Sequence, residues 1–202
     1  MKLIFASNNQ HKTEEIRSFL TKDFQILTLT EAGITIDIPE PHDTLEENAT
    51  EKSRTIYQLT RSNPIALGCF SEDTGLEVYV LNGEPGVKSA RYAGNGRSFD
   101  ANIEKLLANL ADKPNRKARF RAVISLIIDD KETLFEGICE GKIIEQRKGD
   151  LGFGYDPIFV PDGSDRTFAE MSQEEKIHFS HRTKAVLKMV EFLTKSMDEP
   201  KL

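Results

Sequence analysis

Two adjacent carboxylates, Glu72 and Asp73, stand in the stretch Ser71-Glu72-Asp73-Thr74-Gly75. Paired acids suit a hard divalent cation such as Mg2+, which takes oxygen ligands and often shares them with a substrate phosphate. A solvated acidic turn is the alternative, because charged side chains are mostly exposed. A second candidate is the polar run Ser7-Asn8-Asn9-Gln10-His11-Lys12, set between an apolar run from Leu3 to Ala6 and a helical repeat of Ile16, Phe19 and Leu20. A loop entering a helix offers unpaired backbone N–H groups and the positive end of the helix dipole, and both favour an anion. Lys12 in the first turn opposes that dipole. A bound phosphate would explain it; a plain Ser or Asn N-cap beside an exposed lysine is the other reading.

Three more stretches carry chemistry. Thr44-Leu45-Glu46-Glu47 has capping-box spacing. Glu47 is therefore either a cap on the backbone N–H of Thr44 or a further metal ligand near Asp73, and Lys52 on the same helix either reaches a phosphate or is solvated. Gly149-Asp150-Leu151-Gly152-Phe153-Gly154-Tyr155-Asp156-Pro157 places two aromatics and an acid among three glycines. Glycine lets a backbone approach a ligand or adopt positive φ. An aromatic on such a loop can stack on a planar base while an acceptor reads its edge; a tight loop with its aromatics in the core is the alternative. Last, His181 and Arg182 fall in the first turn of the final helix with Lys176 close by. Cations at a helix entrance are unfavourable unless something anionic or rich in acceptors sits there.

The elements that must position these groups follow from apolar periodicity. Ile65-Ala66-Leu67-Gly68-Cys69-Phe70, bounded by Pro64, predicts a buried strand whose end delivers Glu72 and Asp73 to a loop. Ligands in open α/β sheets bind outside such strand ends. Residues 24 to 38 predict a strand and an extended stretch, ended by Pro39 and Pro41. A helix is predicted from about 45 to 60, with Leu45, Ala49, Ile56 and Leu59 as its apolar stripe. Leu76 to Leu81 alternates as a strand. Ser98 begins a helix to about Ala111, with Phe99, Ile103, Leu106, Leu107 and Leu110 inward. Ala118 to Ile128, the turn Asp129-Asp130-Lys131-Glu132 and the return from Thr133 to Ile144 predict a hairpin. Ser172-Gln173-Glu174-Glu175 repeats the capping-box spacing, and Ser180 starts a last helix that packs through Ala185, Val186, Met189, Val190 and Leu193.

With 202 residues, 38% hydrophobic and 30% charged, the chain is long enough for one large domain or two lobes sharing a sheet. The net charge of -6 argues against a broad nucleic-acid surface while leaving room for a small anionic ligand. Cys69 and Cys139 lie in apolar runs and are expected as buried free thiols, consistent with a reducing compartment. Met1 to Ala6 is too short for a signal peptide and no run is long enough to span a membrane, so a cytoplasmic protein is expected.

Taken together and in order, these motifs resemble the inosine triphosphate pyrophosphatase family, also called the HAM1 family. The resemblance covers nearly the whole chain. It is carried by Ser7 to Lys12, Glu47-Asn48-Ala49, Glu72-Asp73-Thr74-Gly75-Leu76, and Gly83-Glu84-Pro85-Gly86 with Ser89-Ala90-Arg91-Tyr92. It continues through Gly152-Phe153-Gly154-Tyr155-Asp156-Pro157-Ile158-Phe159, Glu175-Lys176 and Ser180-His181-Arg182. Ser7 stands where Thr is common, Thr74 where Ser is common, and Glu72 where Asp is frequent.

The resemblance implies an α/β fold: residues 1–202 as a single domain, a long twisted mixed β-sheet with flanking helices, and two lobes with the active site in the cleft. It implies hydrolysis of deaminated purine nucleotides (ITP, dITP, XTP) to the monophosphate and pyrophosphate, clearing the nucleotide pool, with Mg2+ and as a homodimer. Carried over residue by residue, Glu47 and Asp73 hold the metal with Glu72 behind them, and Asp73 is the general base. Ser7, Asn8, Asn9, Gln10, His11 and Lys12 cradle the triphosphate, with Lys52 adding a cation; Thr74 keeps a hydroxyl beside the acids. Phe153 stacks on the base in the Gly154-Tyr155 loop. Lys176 and Arg182 donate to the 6-keto oxygen, with His181 nearby and Asp156 on another edge. Adenine presents an amino donor there, so donor would face donor. Two rivals are a Maf-type nucleotide pyrophosphatase, disfavoured by Ser180-His181-Arg182 and the Phe153 to Asp156 loop, and a non-catalytic nucleotide or RNA binder, disfavoured by the acidic balance and the Glu47, Glu72 and Asp73 set.

Overall fold

The structure, a computed structural model, describes residues 1–62 and 65–198, with side chains through Lys195. Its regular elements are, in order, β1 (Lys2–Phe5), α1 (Gln10–Phe19), β2 (Gln25–Leu27), α2 (Leu45–Thr60), β3 (Gly68–Val78), β4 (Pro85–Gly86), α3 (Phe99–Asn109), β5 (Lys117–Ile128), β6 (Lys131–Ile143), β7 (Phe159–Pro161), α4 (Gln173–Ile177) and α5 (His181–Asp198), with four short 3-10 turns between them. The strands form one mixed sheet in the order β2-β1-β3-β5-β6-β7, with β4 beside β3. β1 runs parallel to β2 and β3, whereas β4 pairs antiparallel with β3 and β7 antiparallel with β6. Among the described residues no helix is long and apolar enough to cross a membrane.

The chain forms two compact units. Unit 1 takes residues through Asp73, then Ala122–Gly137, then the chain from Arg182 onward; unit 2 takes Thr74–Arg121 and Ile138–His181. Side chains alternate across a strand, so Leu3 and Phe5 enter one core of unit 1 while Ile4 and Ala6 enter another. The first core is closed by Ile16 of α1 and by Ala185, Val186, Met189 and Leu193 of α5. The second gathers Ile56 of α2 with Leu29, Ile38 and Cys69. Phe5 and Phe70 stack at 4.7 Å across the parallel pair β1–β3. Burying each ring stabilises the fold by roughly 1.5–3 kcal/mol relative to exposure. Unit 2 has its own core, in which Ile103, Leu106 and Leu110 meet Leu76, Val78, Phe159 and Phe168.

Several expectations change here. Glu72 and Asp73 lie inside β3, not where it ends: an eleven-residue strand runs through them, and Leu76 to Val78 continues it before a 3-10 turn at Tyr79–Leu81. The strand tolerates polar residues because each is satisfied; the Ser71 hydroxyl, for one, donates to the Ala49 carbonyl at 2.5 Å. Ile65 and Leu67 lie before the strand and are exposed, and Pro64 lies outside the described residues. The stretch 24–38 yields only the three residues of β2. Leu59 and Phe99 are exposed rather than inward, each lying at the end of its helix's stripe. The hairpin forms with a two-residue turn, Asp129 (φ 49°) and Asp130 (φ 60°), the left-handed pair such a turn demands. Both cysteines are buried and free. Burial pushes the Cys69 thiol up to about 12, so it stays protonated.

Candidate active site

In unit 1 the candidate residues come from four elements. The start of α1 is capped by Asn9, whose side chain accepts from the Lys12 backbone N–H at 3.2 Å, and the first turn holds no acid. Ser7 Oγ accepts from the Asn9 N–H at 3.2 Å, and Asn8 donates to the Ile36 carbonyl at 3.2 Å. Gln10 and His11 are exposed, with Gln10 bonded to Glu14 at 2.7 Å. Thus Lys12, three residues into the helix, turns inward rather than into solvent. Its Nζ lies 3.5 Å from the Glu72 carbonyl oxygen and 3.8 Å from Glu72 Oε1. Burial lowers its pKa, with Lys52 and Arg182 adding to the effect and Glu72 and Asp73 opposing it.

Lys52, two turns into α2, is buried and held by three oxygens: Asp73 Oδ1 at 2.8 Å, Glu40 Oε1 at 2.8 Å and the Glu72 carbonyl at 2.9 Å. Burial disfavours its charge, but Asp73 and Glu40 outweigh that and raise its pKa. Asp73 moves up as well, chiefly through burial, with Lys52 and Lys12 pulling it down and Glu40 pushing it up. A carboxylate with a raised pKa is a stronger base than one in water, as proton removal from a water molecule requires. Asn48 donates to Asp73 Oδ2 at 3.4 Å.

Two expected placements are corrected. Glu72 turns both carboxylate oxygens to Arg182, with Nε at 2.7 Å and Nη2 at 3.0 Å, while Arg182 Nη1 reaches Glu15 at 2.6 Å. Arg182 is 1% exposed, so its guanidinium serves two buried acids rather than facing a base. A planar fork that matches two carboxylates explains why arginine stands there. Glu47 is exposed at the start of α2 and accepts from the Thr44 hydroxyl at 2.8 Å, while Thr44 caps the Glu47 N–H. It caps the helix through the hydroxyl, not through the Thr44 backbone. Among the described residues no three acid, histidine or cysteine side chains group as a metal cage. Mg2+ needs no such cage, because water and phosphate complete its shell. Asp73 and Glu40 meet at the Lys52 ammonium; Glu40 escaped the sequence analysis because it sits alone between two prolines.

In unit 2 the glycine-rich loop wraps an acid. Asp156 is buried, and its Oδ2 accepts from the Phe153 N–H at 2.9 Å and from Lys176 Nζ at 2.8 Å. Gly152 has φ 75°, and a Cβ there would fall 2.1 Å from that oxygen, so only glycine fits. Lys176 Nζ lies 5.4 Å from the Phe153 ring centre, and α4, which carries it, starts with the predicted capping box of Ser172 and Glu175. Phe153 is half-buried, with Phe99 tilted against its ring at 6.2 Å; Tyr155 instead belongs to the core and donates to the Ser89 carbonyl at 3.0 Å. His181 is buried and stacked on Phe120 at 4.8 Å. Thr74, between Asp73 and Gly75, is half-buried on β3. Glu15 was also missed, although its place three residues after Lys12 on the apolar stripe of α1 was a signal for a buried partner.

Acids and ammonium groups packed together on an α/β sheet, beside a capped helix start, define a class of proteins that act on anionic ligands. The chain belongs to the Ham1 family, whose sequence pattern it matches over residues 3–192. It is 49% identical over 192 residues to a Flavobacterium psychrophilum protein named dITP/XTP pyrophosphatase, covering 95% of this chain and 98% of that one. A Porphyromonas gingivalis protein of the same name is 48% identical over 193 residues, 95% and 97% of the two chains. Among solved structures, the Staphylococcus aureus Ham1 protein matches with TM-score 0.85 at 38% identity over 97% of this chain and all of that one. A HAM1 protein from Coxiella burnetii matches with TM-score 0.84 at 33% identity, over 96% and 99% of the two chains.

Proposed function

We propose that this protein is a nucleoside triphosphate pyrophosphatase that hydrolyses ITP, dITP and XTP to the monophosphate and pyrophosphate. The observation that carries the reading is the Lys12–Lys52 pair, brought from two helices to the Glu72-Asp73 step of β3. Buried ammonium groups beside a basic carboxylate are what hydrolysis of a phosphoanhydride requires: charge neutralisation and a positioned water.

Asp73 takes a proton from the attacking water. The oxygen bonds to the α-phosphorus, and the bond to the bridging oxygen breaks with its electron pair on the departing pyrophosphate. Lys12 and the loop from Ser7 to Lys12 at the start of α1 hold the phosphate oxygens as charge shifts onto them, and Lys52 adds its positive charge from beside Asp73. Mg2+, if held at Asp73 with Glu40, would supply Lewis-acid neutralisation of the phosphates. Glu72 is left to Arg182 and acts through its carbonyl oxygen, which both lysines touch.

The base end is assigned to unit 2. Phe153 stacks on the purine, and Lys176, aimed by Asp156, donates to the 6-keto oxygen that hypoxanthine and xanthine share and adenine lacks. His181 shapes the same end through its stack on Phe120. The chain is read as a single domain. A homodimer comes from the family resemblance, the two buried free thiols support a reducing, cytoplasmic location, and the net charge of -6 supports the absence of a nucleic-acid partner.

Pyrophosphate release from ITP, dITP, XTP, GTP, ATP and dTTP, with Mg2+ and without metal, tests the reading. Release from ITP, dITP and XTP with little from ATP or GTP supports it. Preference for dTTP would move the protein to the Maf-type activity. Binding without release from any nucleotide would make it a sensor.

A further inference from the structure

The segment that carries Glu40 reads Pro39-Glu40-Pro41-His42-Asp43. Two of its residues have no backbone N–H, so it has few donors with which to anchor itself. Its anchor is the side chain of Asn48, in the first turns of α2. The Asn48 carbonyl oxygen accepts from the His42 N–H at 3.0 Å, and its Nδ2 donates to the His42 carbonyl at 3.1 Å. The same Nδ2 reaches Asp73 Oδ2 at 3.4 Å. Asn48 is 1% exposed. The side chain thus needs one acceptor and two donors on a short stem. Aspartate has no donors, and glutamine carries its amide one methylene further out.

We propose that Asn48 is a positioning residue that sets the spacing of Glu40 and Asp73 on either side of Lys52. Glu40 and Asp73 belong to segments far apart in the chain, and both meet Lys52 Nζ at 2.8 Å. Lys52 lies one helical turn beyond Asn48, so one face of α2 holds the ammonium and the amide that aligns its two acids. Asn48 touches no reacting atom; it acts through the carboxylates. The proposal rests on the pyrophosphatase reading for its consequence in turnover, but not for its geometry.

The test compares wild type, Asn48→Ala, Asn48→Asp and, as a control on the same helix, Thr50→Ala, which removes the Thr50 bond to Glu132 of 2.6 Å. Crystal structures of the Asn48 variants should show Glu40 withdrawn from Lys52. Turnover of ITP should fall about 10- to 100-fold, the usual effect of losing a group that orients a ligand carboxylate, with KM for ITP little changed. Asn48→Asp keeps the His42 N–H bond and the packing, so it answers the question if the alanine variant does not fold. Thr50→Ala should lower Tm without that loss of turnover. An intact Glu40–Lys52–Asp73 arrangement in the variants would overturn the proposal. So would unchanged turnover despite a displaced Glu40, or an equal loss of turnover in Thr50→Ala. If wild type releases pyrophosphate from no nucleotide, the pyrophosphatase reading fails, and the variant structures alone decide the spacing claim.

Discussion

Asp73 has competing demands on it. It must stay ionised to accept a proton, yet burial favours its neutral form; Lys52 and Lys12 hold the balance. Asp73→Asn keeps the shape and the bond from Lys52 but removes the base. Turnover of ITP should fall by about two or more orders of magnitude, while nucleotide binding, measured by calorimetry, survives. Unchanged turnover would remove Asp73 from its role. Arg182 illustrates the cost of the opposite change. Replacing it by alanine leaves Glu15 and Glu72 buried without their shared cation, which should cost about 3–5 kcal/mol in a urea unfolding experiment. A loss below about 1 kcal/mol would mean that the pair is solvated as an exposed ion pair is. These two residues also mark what a sequence can and cannot disclose. Asp73 was legible because its neighbours announce it. The partnership of Arg182 with Glu15 was not, because 167 positions separate them and only the packing of α5 against α1 brings them together.

At the scale of elements, β3 differs most from its expected form. A break was expected after Phe70 because polar residues interrupt the apolar run; the partners of those residues, Ala49, Arg182 and Lys52, lie on other elements and erase the break. The helices, by contrast, were legible almost to the residue, because Thr44, Ser98 and Ser172 cap them locally. How α2 is fastened to the β5–β6 hairpin was not legible at all. Glu132 accepts from Thr50 at 2.6 Å, from Ser125 at 2.8 Å and from Arg54 at 2.7 Å. Partial burial works against its charge, but these donors prevail and hold its pKa below the usual carboxylate value. A carboxyl whose pKa is depressed on folding contributes stability above its unfolded value and loses it as pH falls through the folded one. The Tm of wild type should therefore drop as acidification passes below the ordinary carboxylate range, and Glu132→Gln should start from a lower Tm with a shallower acid drop. Parallel acid profiles for the two would exclude Glu132 as a contributor.

For the whole molecule, the chain path matters more than any contact. Unit 1 is assembled from three separate stretches, and β3, β5 and β6 each contribute to both units. Neither unit can be cut out as a continuous fragment. The last stretch is also the lid of a core, through Ala185, Val186, Met189 and Leu193. A chain ending at His181 should lose its cooperative thermal transition in scanning calorimetry; a sharp transition near the wild-type Tm would show that unit 1 closes without α5.

The three oxygens around Lys52 have a thermodynamic meaning as well. A free lysine side chain gives up roughly 1.5–2 kcal/mol of rotamer entropy when it is fixed. Here that ordering is complete when the chain folds, so it is not repeated at each catalytic cycle. A shorter or looser cation at position 52 should accordingly show part of its defect as a more negative entropy of activation rather than as a weaker charge.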